Sequence, residues 1–311
     1  MLHLAFVFPG QGSQYVGMGR ELAENIPAAA DIFRAADKVL GFPLSDLCFE
    51  GPAEKLEQTE FAQPAILACS IAALEAVRSL DIQATVLAGL SLGEYTALVA
   101  SGTLGLEEAL PLVCLRGRLM QEAVPPGQGS MAAIMGLDNE VVEDICSKTE
   151  GYVEIANYNA VKQVVISGES TAVAEAGKTL KESGGKVVPL AVSVPSHCRL
   201  MFDAASRLQP ELERLDWKDS NVPVVANVNA EKNPSADQVG LLVRQLYSPV
   251  RWEQSVRYML DMADYFIEIG PGSTLSGLIK RIDRNAMLGN VEDMKSLQKI
   301  REKVDTLCMK A

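Results

Sequence analysis

The chain opens with a pattern in which short apolar runs end near a glycine and are separated by stretches of helical periodicity. Residues 4–8 form one such run and residues 85–88 another. Continuous apolar runs of this length are typical of parallel strands that are buried on both faces. Apolar residues recur every three or four positions across residues 66–77, which predicts a helix. The alternation of strands and helices favours an α/β fold with a parallel sheet.

A different pattern lies between two proline-containing interruptions, at residues 125–127 and 189–195. It predicts, in order, strand, helix, strand, strand, helix and strand, at residues 131–135, 140–148, 153–157, 163–167, 171–182 and 186–190. On the second helix Val173, Ala176 and Leu180 form one apolar stripe, as expected for a helix packed on one face of a sheet. This βαββαβ order predicts a small ferredoxin-like domain.

We therefore expect an inserted-domain architecture. Residues 1–125 and 196–311 form a large α/β-hydrolase-like domain with a parallel sheet, and residues 126–195 form the small domain inserted in it. Residues 222–227 and 265–269 are predicted to be further strands of the large sheet, and the charged tail from Asn290 is predicted to be helical.

Composition and charge exclude several function classes. The chain has 311 residues, of which 48% are hydrophobic, so a packed globular fold is expected. It carries 28 Lys and Arg against 40 Asp and Glu, and the net charge of −12 argues against general affinity for nucleic acid or an anionic membrane. The six cysteines include no C-x-x-C pair, so no zinc knuckle or redox motif is expected. With no secretory signal and no apolar stretch near the roughly 20 residues of a membrane helix, we expect a cytoplasmic protein.

Gly89-Leu90-Ser91-Leu92-Gly93 follows a predicted strand and precedes a predicted helix, which is the context of a nucleophile elbow. On such a turn the Ser91 hydroxyl stands above the sheet edge, and the helix N-terminus faces any oxyanion that develops beside it. The alternative is a glycine-rich turn in which the serine only caps a helix.

A serine nucleophile needs a base, and the chain contains only two histidines. His3 lies at the start of the first strand, where a surface position is expected. His197 lies where the small domain returns to the large one. No lysine is paired with Ser91 by any motif, so elimination favours His197 as the base.

Two further segments have candidate chemistry. Gly10-Gln11-Gly12-Ser13-Gln14 is a glycine-rich turn after a strand; Tyr15 stands where a dinucleotide fingerprint needs glycine, and no P-loop lysine follows. It is either a source of a second oxyanion donor or a turn without a ligand. Arg116 and Arg118 are two positions apart on an apolar helix and therefore point to different faces. One interpretation is that one of them is turned inward and binds a carboxylate; the alternative is that both are solvated.

Taken together, a set of segments resembles the malonyl-CoA:acyl-carrier-protein transacylase family over nearly the whole chain. They are the turn at 10–14, the elbow at 89–94, Arg116, Asn157 with Asn159, the sequence VPSH at 194–197, QLYSPV at 245–250 and GPG at 270–272. The resemblance implies transfer of malonyl from malonyl-CoA to acyl carrier protein through a malonyl-serine, in fatty-acid or polyketide synthesis. It implies no metal or redox cofactor, and we expect a monomer.

The resemblance also implies roles for individual residues. Ser91 is the nucleophile and His197 its base, and Arg116 holds the free carboxylate of the malonyl group. The backbone N–H groups of Gln11 and Leu92 form the oxyanion hole. The backbone carbonyl of Gln245 orients the histidine. Asn157 and Asn159 bind CoA or its pantetheine arm.

One position departs from the family, because Leu90 stands where many relatives have histidine immediately before the nucleophile. This change affects the expected acyl selectivity more than the reaction type. Two rival functions are an acyl-thioester hydrolase that uses the same site and a non-enzymatic scaffold of a synthase complex. Because carrier proteins are generally acidic, docking requires a local basic patch; the candidates are Lys280-Arg281 with Arg284, and Arg244 with Arg251, and a solvated helix face is the alternative for each.

Overall fold

The computed structural model describes residues 2–190, 194–220 and 222–309. Within these ranges the chain forms two β-sheets. Their strands are β1 (Leu4–Phe8), β2 (Val86–Gly89), β3 (Gly129–Met135), β4 (Val153–Ala160), β5 (Gln163–Glu169), β6 (Lys186–Pro189), β7 (Val224–Val225), β8 (Tyr265–Ile269) and β9 (Met287–Val291).

Helices of very different lengths connect and cover these strands. In chain order they are α1 (Arg20–Asn25), α2 (Pro27–Leu40), α3 (Leu44–Glu50), α4 (Ala53–Leu56), α5 (Thr59–Arg78), α6 (Leu92–Ala100), α7 (Leu106–Glu122), α8 (Asn139–Lys148), α9 (Ser170–Glu182), α10 (Phe202–Glu213), α11 (Gln238–Tyr247), α12 (Trp252–Leu260), α13 (Thr274–Ile282) and α14 (Met294–Cys308). Short 3-10 helices occupy Arg199–Met201 and Ser235–Asp237.

The larger sheet is parallel throughout and has the strand order β7-β2-β1-β8-β9. All five residues of β1 are buried, as expected for a central strand covered on both faces. Helix α5 is the one helix among the described residues that is long and apolar enough to cross a membrane, and 83% of its most apolar window is buried inside the fold. Its apolar side chains therefore belong to the core around this sheet.

The smaller sheet is antiparallel and has the order β4-β5-β3-β6. Its elements follow one another as β, α, β, β, α, β, which is the order that the sequence pattern predicts. One face packs against α8 and α9 around Ile134, Ile155, Ile166 and Leu180. The other face turns Met131 and Val165 towards a cavity between the two sheets.

Backbone hydrogen bonds join the small sheet to the large part of the fold. The N–H of Val250 donates to Ala156 O at 2.8 Å, and the N–H of Tyr158 donates to Val250 O at 2.9 Å. Asn157 thereby forms a parallel bridge with Val250. This pairing fixes the cavity-facing end of β4 against the segment that connects α11 to α12.

The structure corrects two predictions in the C-terminal part. The strand predicted at 222–227 is limited to Val224–Val225, because the N–H of Ala226 turns back to Glu231 O at 3.0 Å. The tail predicted to be helical from Asn290 starts as a strand, Met287–Val291, and its helix begins only at Met294. A capping box between Asp293 and Ser296 sets that start, and a short strand interrupted by glycine and asparagine has no clear period.

Candidate active site

Ser91 lies on the turn between β2 and α6, with φ 56° and ψ −107°. This backbone conformation is strained for a residue with a side chain and persists only where the surroundings enforce it. A Cβ on Gly89 would lie 2.0 Å from the carbonyl carbon of Gly93, and one on Gly93 would lie 2.1 Å from Phe8 O. Both glycines of the motif are therefore required by close backbone packing around the serine.

His197 lies beside the serine and is fixed at both ring nitrogens. Its Nε2 is 2.8 Å from Ser91 Oγ, and its Nδ1 is 2.7 Å from the carbonyl oxygen of Gln245. Because the carbonyl only accepts, Nδ1 carries the proton and Nε2 is left to accept one from the hydroxyl. Burial, together with the positive charge of Arg116, lowers the pKa of His197 to about 4, so the imidazole is neutral at pH 7.

Arg116 is the inward-facing arginine of α7, with 1% of its surface exposed, whereas Arg118 is exposed. Its Nη1 donates to Gln63 Oε1 at 2.8 Å, and its Nη2 donates to Gln245 Oε1 at 2.9 Å and to Ser91 Oγ at 3.2 Å. Its guanidinium lies 5.2 Å from the centre of the Tyr95 ring. Burial lowers its pKa, and within the described ranges no carboxylate lies within salt-bridge distance of it. A buried cation held only by neutral groups is suited to bind an anion.

A buried polar network holds the serine turn from behind. The side chain of Asn227 accepts a hydrogen bond from Ser91 N at 2.7 Å and donates to Gly89 O at 2.7 Å. Gln245 Nε2 donates to Ser91 O at 3.0 Å and to Glu94 Oε2 at 2.7 Å. Glu94 Oε2 also accepts from Asn227 N at 3.0 Å, and burial raises the pKa of this carboxyl to about 7. The backbone around Ser91 is thus fixed by the side chains of Asn227 and Gln245, from two other segments, and Glu94 binds both of these residues.

The turn at 10–14 packs against the serine turn. A Cβ on Gly10 would lie 2.4 Å from Leu90 O, so glycine allows the two turns to meet. Gln11 and Leu92 both line the cavity around Ser91. In the part of the chain that the structure describes, neither of their backbone N–H groups donates to a protein acceptor. Two N–H donors are therefore available on the serine side of the cavity.

The cavity has a volume of about 310 Å³ and lies between the two sheets. Ser91, His197 and Arg116 line it from the large-sheet side, with Leu90 in the wall. The small sheet contributes amide side chains at its opposite wall, and these are Asn157, Asn159 and Gln163. The side-chain oxygens of Asn159 and Gln163 are buried and have no hydrogen-bond partner among the described residues. These two oxygens can accept hydrogen bonds from a ligand.

The structure brings together all the residues for which the family resemblance implies a catalytic or binding role. Ser91, His197, Arg116, Gln11, Leu92, Asn157 and Asn159 line the cavity, and Gln245 contacts it through His197 and Arg116. His3 lies outside it and binds Asp264 at the other end of β1. Among the described residues no group of three or more His, Cys, Asp or Glu side chains could hold a metal ion.

Sequence reasoning gives no role to four polar residues at this site: Gln63, Glu94, Gln163 and Asn227. For Gln63 and Glu94 a signal was available, because each is a buried polar residue in a largely apolar helix. The sequence pattern predicts Asn227 at the end of a strand, and its contact with the serine turn spans 136 residues. No local pattern can reveal a contact of that separation.

Comparisons with known proteins agree with one another. Residues 5–305 match the family model described as acyl transferase domain. The chain is 46% identical over 304 residues to the malonyl CoA-acyl carrier protein transacylase of Bacillus subtilis (strain 168), covering 96% of each chain. It is similar to the solved malonyl CoA-acyl carrier protein transacylase from Clostridium perfringens, with a TM-score of 0.96, 41% identity and coverage of 99% and 98%. A malonyl-transacylase solved in complex with a type II PKS acyl-carrier protein has a TM-score of 0.94, 43% identity and coverage of 97% and 99%.

Proposed function

The chain belongs to the acyl transferase family, among the malonyl CoA-acyl carrier protein transacylases, and on that premise we propose that it transfers malonyl from malonyl-CoA to an acyl carrier protein. The acceptor is the phosphopantetheine thiol of the carrier protein, and the pathway served is fatty-acid or polyketide biosynthesis. The observation that carries the proposal is the buried Arg116, which lies 3.2 Å from Ser91 Oγ and is bonded only to neutral groups. A guanidinium in that position selects an acyl group that ends in a carboxylate.

In the first half-reaction His197 Nε2 takes the proton of Ser91 as Oγ bonds to the malonyl carbonyl carbon. The N–H groups of Gln11 and Leu92 stabilise the oxyanion of the tetrahedral intermediate. The carbon–sulfur bond then breaks, and the CoA sulfur leaves as a thiol with the proton that His197 returns. The product is a malonyl ester of Ser91.

In the second half-reaction the carrier-protein thiol gives its proton to His197 as its sulfur attacks the ester carbon. The carbon–oxygen bond breaks, and Ser91 Oγ recovers a proton from His197. The carbonyl of Gln245 keeps the imidazole in the required tautomer through both halves, which supports catalysis without a triad acid. No metal or redox cofactor takes part in these steps.

The opposite wall of the cavity supports binding of the donor and acceptor arms. Asn157 and Asn159 bind the amide-rich pantetheine chain shared by CoA and the carrier protein, and the free oxygen of Asn159 is an acceptor for one of its N–H groups. The carrier protein docks on exposed basic residues, either Lys280-Arg281 with Arg284 or Arg244 with Arg251.

We also propose a division of the chain into two domains. Residues 1–125 and 196–311 form an α/β-hydrolase-like domain and residues 126–195 an inserted ferredoxin-like domain, whose return segment includes residues 191–193, outside the described ranges. The topology of the two sheets supports this division. We also propose that the protein acts as a monomer in the cytoplasm.

The intact mass of the protein after mixing with malonyl-CoA tests the function. Wild-type protein should gain one malonyl group, whereas Ser91→Ala should gain none because it lacks the nucleophilic oxygen. Ser206→Ala is the matched control, since this exposed serine bonds only to Phe202 O in α10, and it should be acylated normally. A malonyl group on Ser91→Ala would contradict the proposal.

The same mixture separates transfer from hydrolysis. Added carrier protein with its phosphopantetheine should remove the malonyl group from Ser91 and gain the same mass. Rapid loss of the group in water alone, with continuous release of free CoA, would instead identify a thioester hydrolase.

A further inference from the structure

Glu94 is a buried carboxylate directly behind the candidate active site, and the reaction steps described above do not use it. It lies on the first turn of α6, three residues after Ser91, and it is fully buried. Its Oε2 accepts hydrogen bonds from Gln245 Nε2 at 2.7 Å and from Asn227 N at 3.0 Å. Oε1 has no partner among the described residues, so this carboxylate has no direct cationic partner there.

Gln245 connects Glu94 to both reacting side chains. Its amide nitrogen faces the carboxylate, and its amide oxygen accepts from Arg116 at 2.9 Å. Its backbone carbonyl accepts from His197 at 2.7 Å. Because a carboxylate only accepts hydrogen bonds, Glu94 allows only one orientation of the Gln245 amide, the one that presents oxygen to Arg116.

During acylation a positive charge forms on His197, which is hydrogen-bonded to Gln245, the residue that also binds Glu94. When His197 takes the serine proton it becomes an imidazolium next to the buried guanidinium of Arg116, which repels it. The effective dielectric constant is low in a buried site, so charges there interact more strongly than in water. The negative charge of Glu94, which lies on the far side of Gln245, therefore offsets part of that repulsion. The usual acid of a serine–histidine–acid triad supplies such a charge directly to the histidine.

We propose that Glu94 is a positioning residue that, through Gln245, fixes the orientation of the His197 and Arg116 contacts and supplies the buried negative charge that the imidazolium requires. The proposal rests on the transferase function proposed above. Glu94 would then take the part of the triad acid, with Gln245 between it and His197 instead of a direct contact. Glu94 acts on catalysis without touching the substrate.

Glu94→Gln tests this role because the amide keeps the size of the side chain. Its oxygen can still accept from Gln245 and Asn227, while the negative charge is lost. We expect single-turnover acylation of Ser91 by malonyl-CoA to slow by about ten- to a hundredfold. The KM for malonyl-CoA should stay the same or fall, because the charge of Arg116 is then less compensated.

Glu268→Gln is the matched control. Glu268 is a second fully buried glutamate, on β8, where its oxygens accept from Leu275 N at 3.0 Å and Ser276 N at 2.7 Å at the start of α13. Burial raises its pKa as well. The control should be acylated at nearly the wild-type rate. That result would show that the slow acylation of Glu94→Gln comes from the position of Glu94 and not from the loss of a buried carboxylate in general.

Thermal stability distinguishes a catalytic role from a structural one. The pKa of Glu94 rises from 4.5 to about 7 on burial, so the folded state keeps a proton that the unfolded chain loses. Ionising this group therefore reduces stability as pH rises from 4.5 to about 7, and the reduction persists above that pH. At pH 8 Glu94→Gln should have an unchanged or higher Tm while its acylation is slow. A lower Tm together with a raised KM would show a structural role and contradict the proposal.

The pH profile of the wild-type protein is a second measurement, which requires no variant. Malonyl-pantetheine is the donor, because it has no phosphate that titrates near neutrality. The acylation rate should rise with pH through an apparent pKa near 7, since ionised Glu94 is the active form and His197, with a pKa of about 4, is already neutral. A rate that is constant between pH 6 and pH 8 would contradict the proposal.

Two other titratable groups, Arg116 and Tyr95, lie close to Glu94. Arg116 on α7 keeps its charge, and burial raises the pKa of Tyr95, on α6 itself, to about 12. Strands β1, β2 and β7 have no titratable side chain. The titratable groups of α5 make contacts elsewhere, namely Glu60 with Cys114, Glu75 with Arg78, and Cys69 behind Gly19.

The design separates failure of this proposal from failure of the function. If wild-type protein and Glu268→Gln acylate Ser91 and Glu94→Gln acylates equally fast, the role of Glu94 is wrong and the transferase function stands. If wild-type protein takes no malonyl group, the proposed function itself is wrong.

Discussion

The two walls of the active-site cavity differ in how their polar groups are used. On the large-sheet wall the side chains of Ser91, His197, Arg116 and Gln245 are bonded to one another at 2.8–3.2 Å or through the Gln245 carbonyl. On the small-sheet wall the oxygens of Asn159 and Gln163 have no partner among the described residues. The groups to which we assign the bond-making steps are thus fixed in advance on one wall, whereas the groups to which we assign ligand binding are free on the other.

This contrast follows from the fold. The large-sheet wall is built where parallel strands end and helices begin, so backbone donors and a helix N-terminus meet there. The small-sheet wall is an open face of an antiparallel sheet, where alternate side chains of β4 point into the cavity. A sheet face presents side chains to a long ligand but few backbone donors.

Among variants of the two cavity walls other than those of Ser91 and His197, replacement of Arg116 should reduce malonyl transfer the most. Because we propose that Arg116 holds the malonyl carboxylate, malonyl transfer by Arg116→Ala should fall at least about a hundredfold. Transfer of acetyl, which has no carboxylate, should be kept or increased. Steady-state rates with malonyl-CoA and acetyl-CoA measure this selectivity.

Arg118→Ala, on the exposed face of the same helix, is the control and should transfer malonyl normally. An equal loss for both acyl groups in Arg116→Ala would mean that the arginine supports the structure of the wall rather than the choice of substrate. The charged wall would then have no role in specificity.

The two walls were also predictable to different degrees. Ser91 and His197 follow from a motif in its strand–turn–helix context and from the scarcity of histidine, because both signals are local or compositional. The supporting contacts are not local: Asn227 reaches Ser91 across 136 residues and Gln245 reaches Glu94 across 151. Gln163 is one position in an apolar strand, and only the observed packing shows that it faces the cavity.

Fold elements show the same division. Strand β8 has the bounds that its apolar run predicts, and the βαββαβ order was readable because each element has a clean period. Strand β9 was missed because Gly289 and Asn290 interrupt its five residues. Edge strands are paired on one side only, so their sequences are less constrained than those of central strands.

Replacement of Asn159 on the small-sheet wall should have a moderate effect. Asn159→Ala removes an acceptor that is free for the pantetheine arm, so the KM for malonyl-CoA should rise by about five- to tenfold while kcat changes little. Tyr158→Phe is the control, because the hydroxyl of this neighbouring residue bonds to Glu143 outside the cavity. A fall in kcat with unchanged KM in Asn159→Ala would show that this wall also takes part in the chemistry.

The smallest effect is expected at the outer surface of the large-sheet wall. Helix α13 lines the cavity with Thr274, Leu275 and Leu278, and Lys280 and Arg281 follow in its last turn, about 3 to 5 Å further along the axis. Because the chain has a net charge of −12, an acidic carrier protein is attracted only by such a local cationic surface. The double charge reversal to Glu should raise the KM for carrier protein about three- to tenfold and leave the KM for malonyl-CoA unchanged.

Reversing two other exposed basic residues changes the net charge by the same amount and therefore shows whether the position of Lys280 and Arg281 matters. Lys299 and Arg301 on α14 are exposed, and they lie near Tyr265 and Leu4, at the opposite end of the large sheet from Ser91. Their double reversal to Glu should change the KM for carrier protein much less. Added salt should reduce the difference between the two variants, since exposed charges are screened within about 10 Å at 0.1 M ionic strength. Equal effects of both reversals would mean that docking responds to the overall charge of the protein, and the outer surface of this wall would then have no part in recognition.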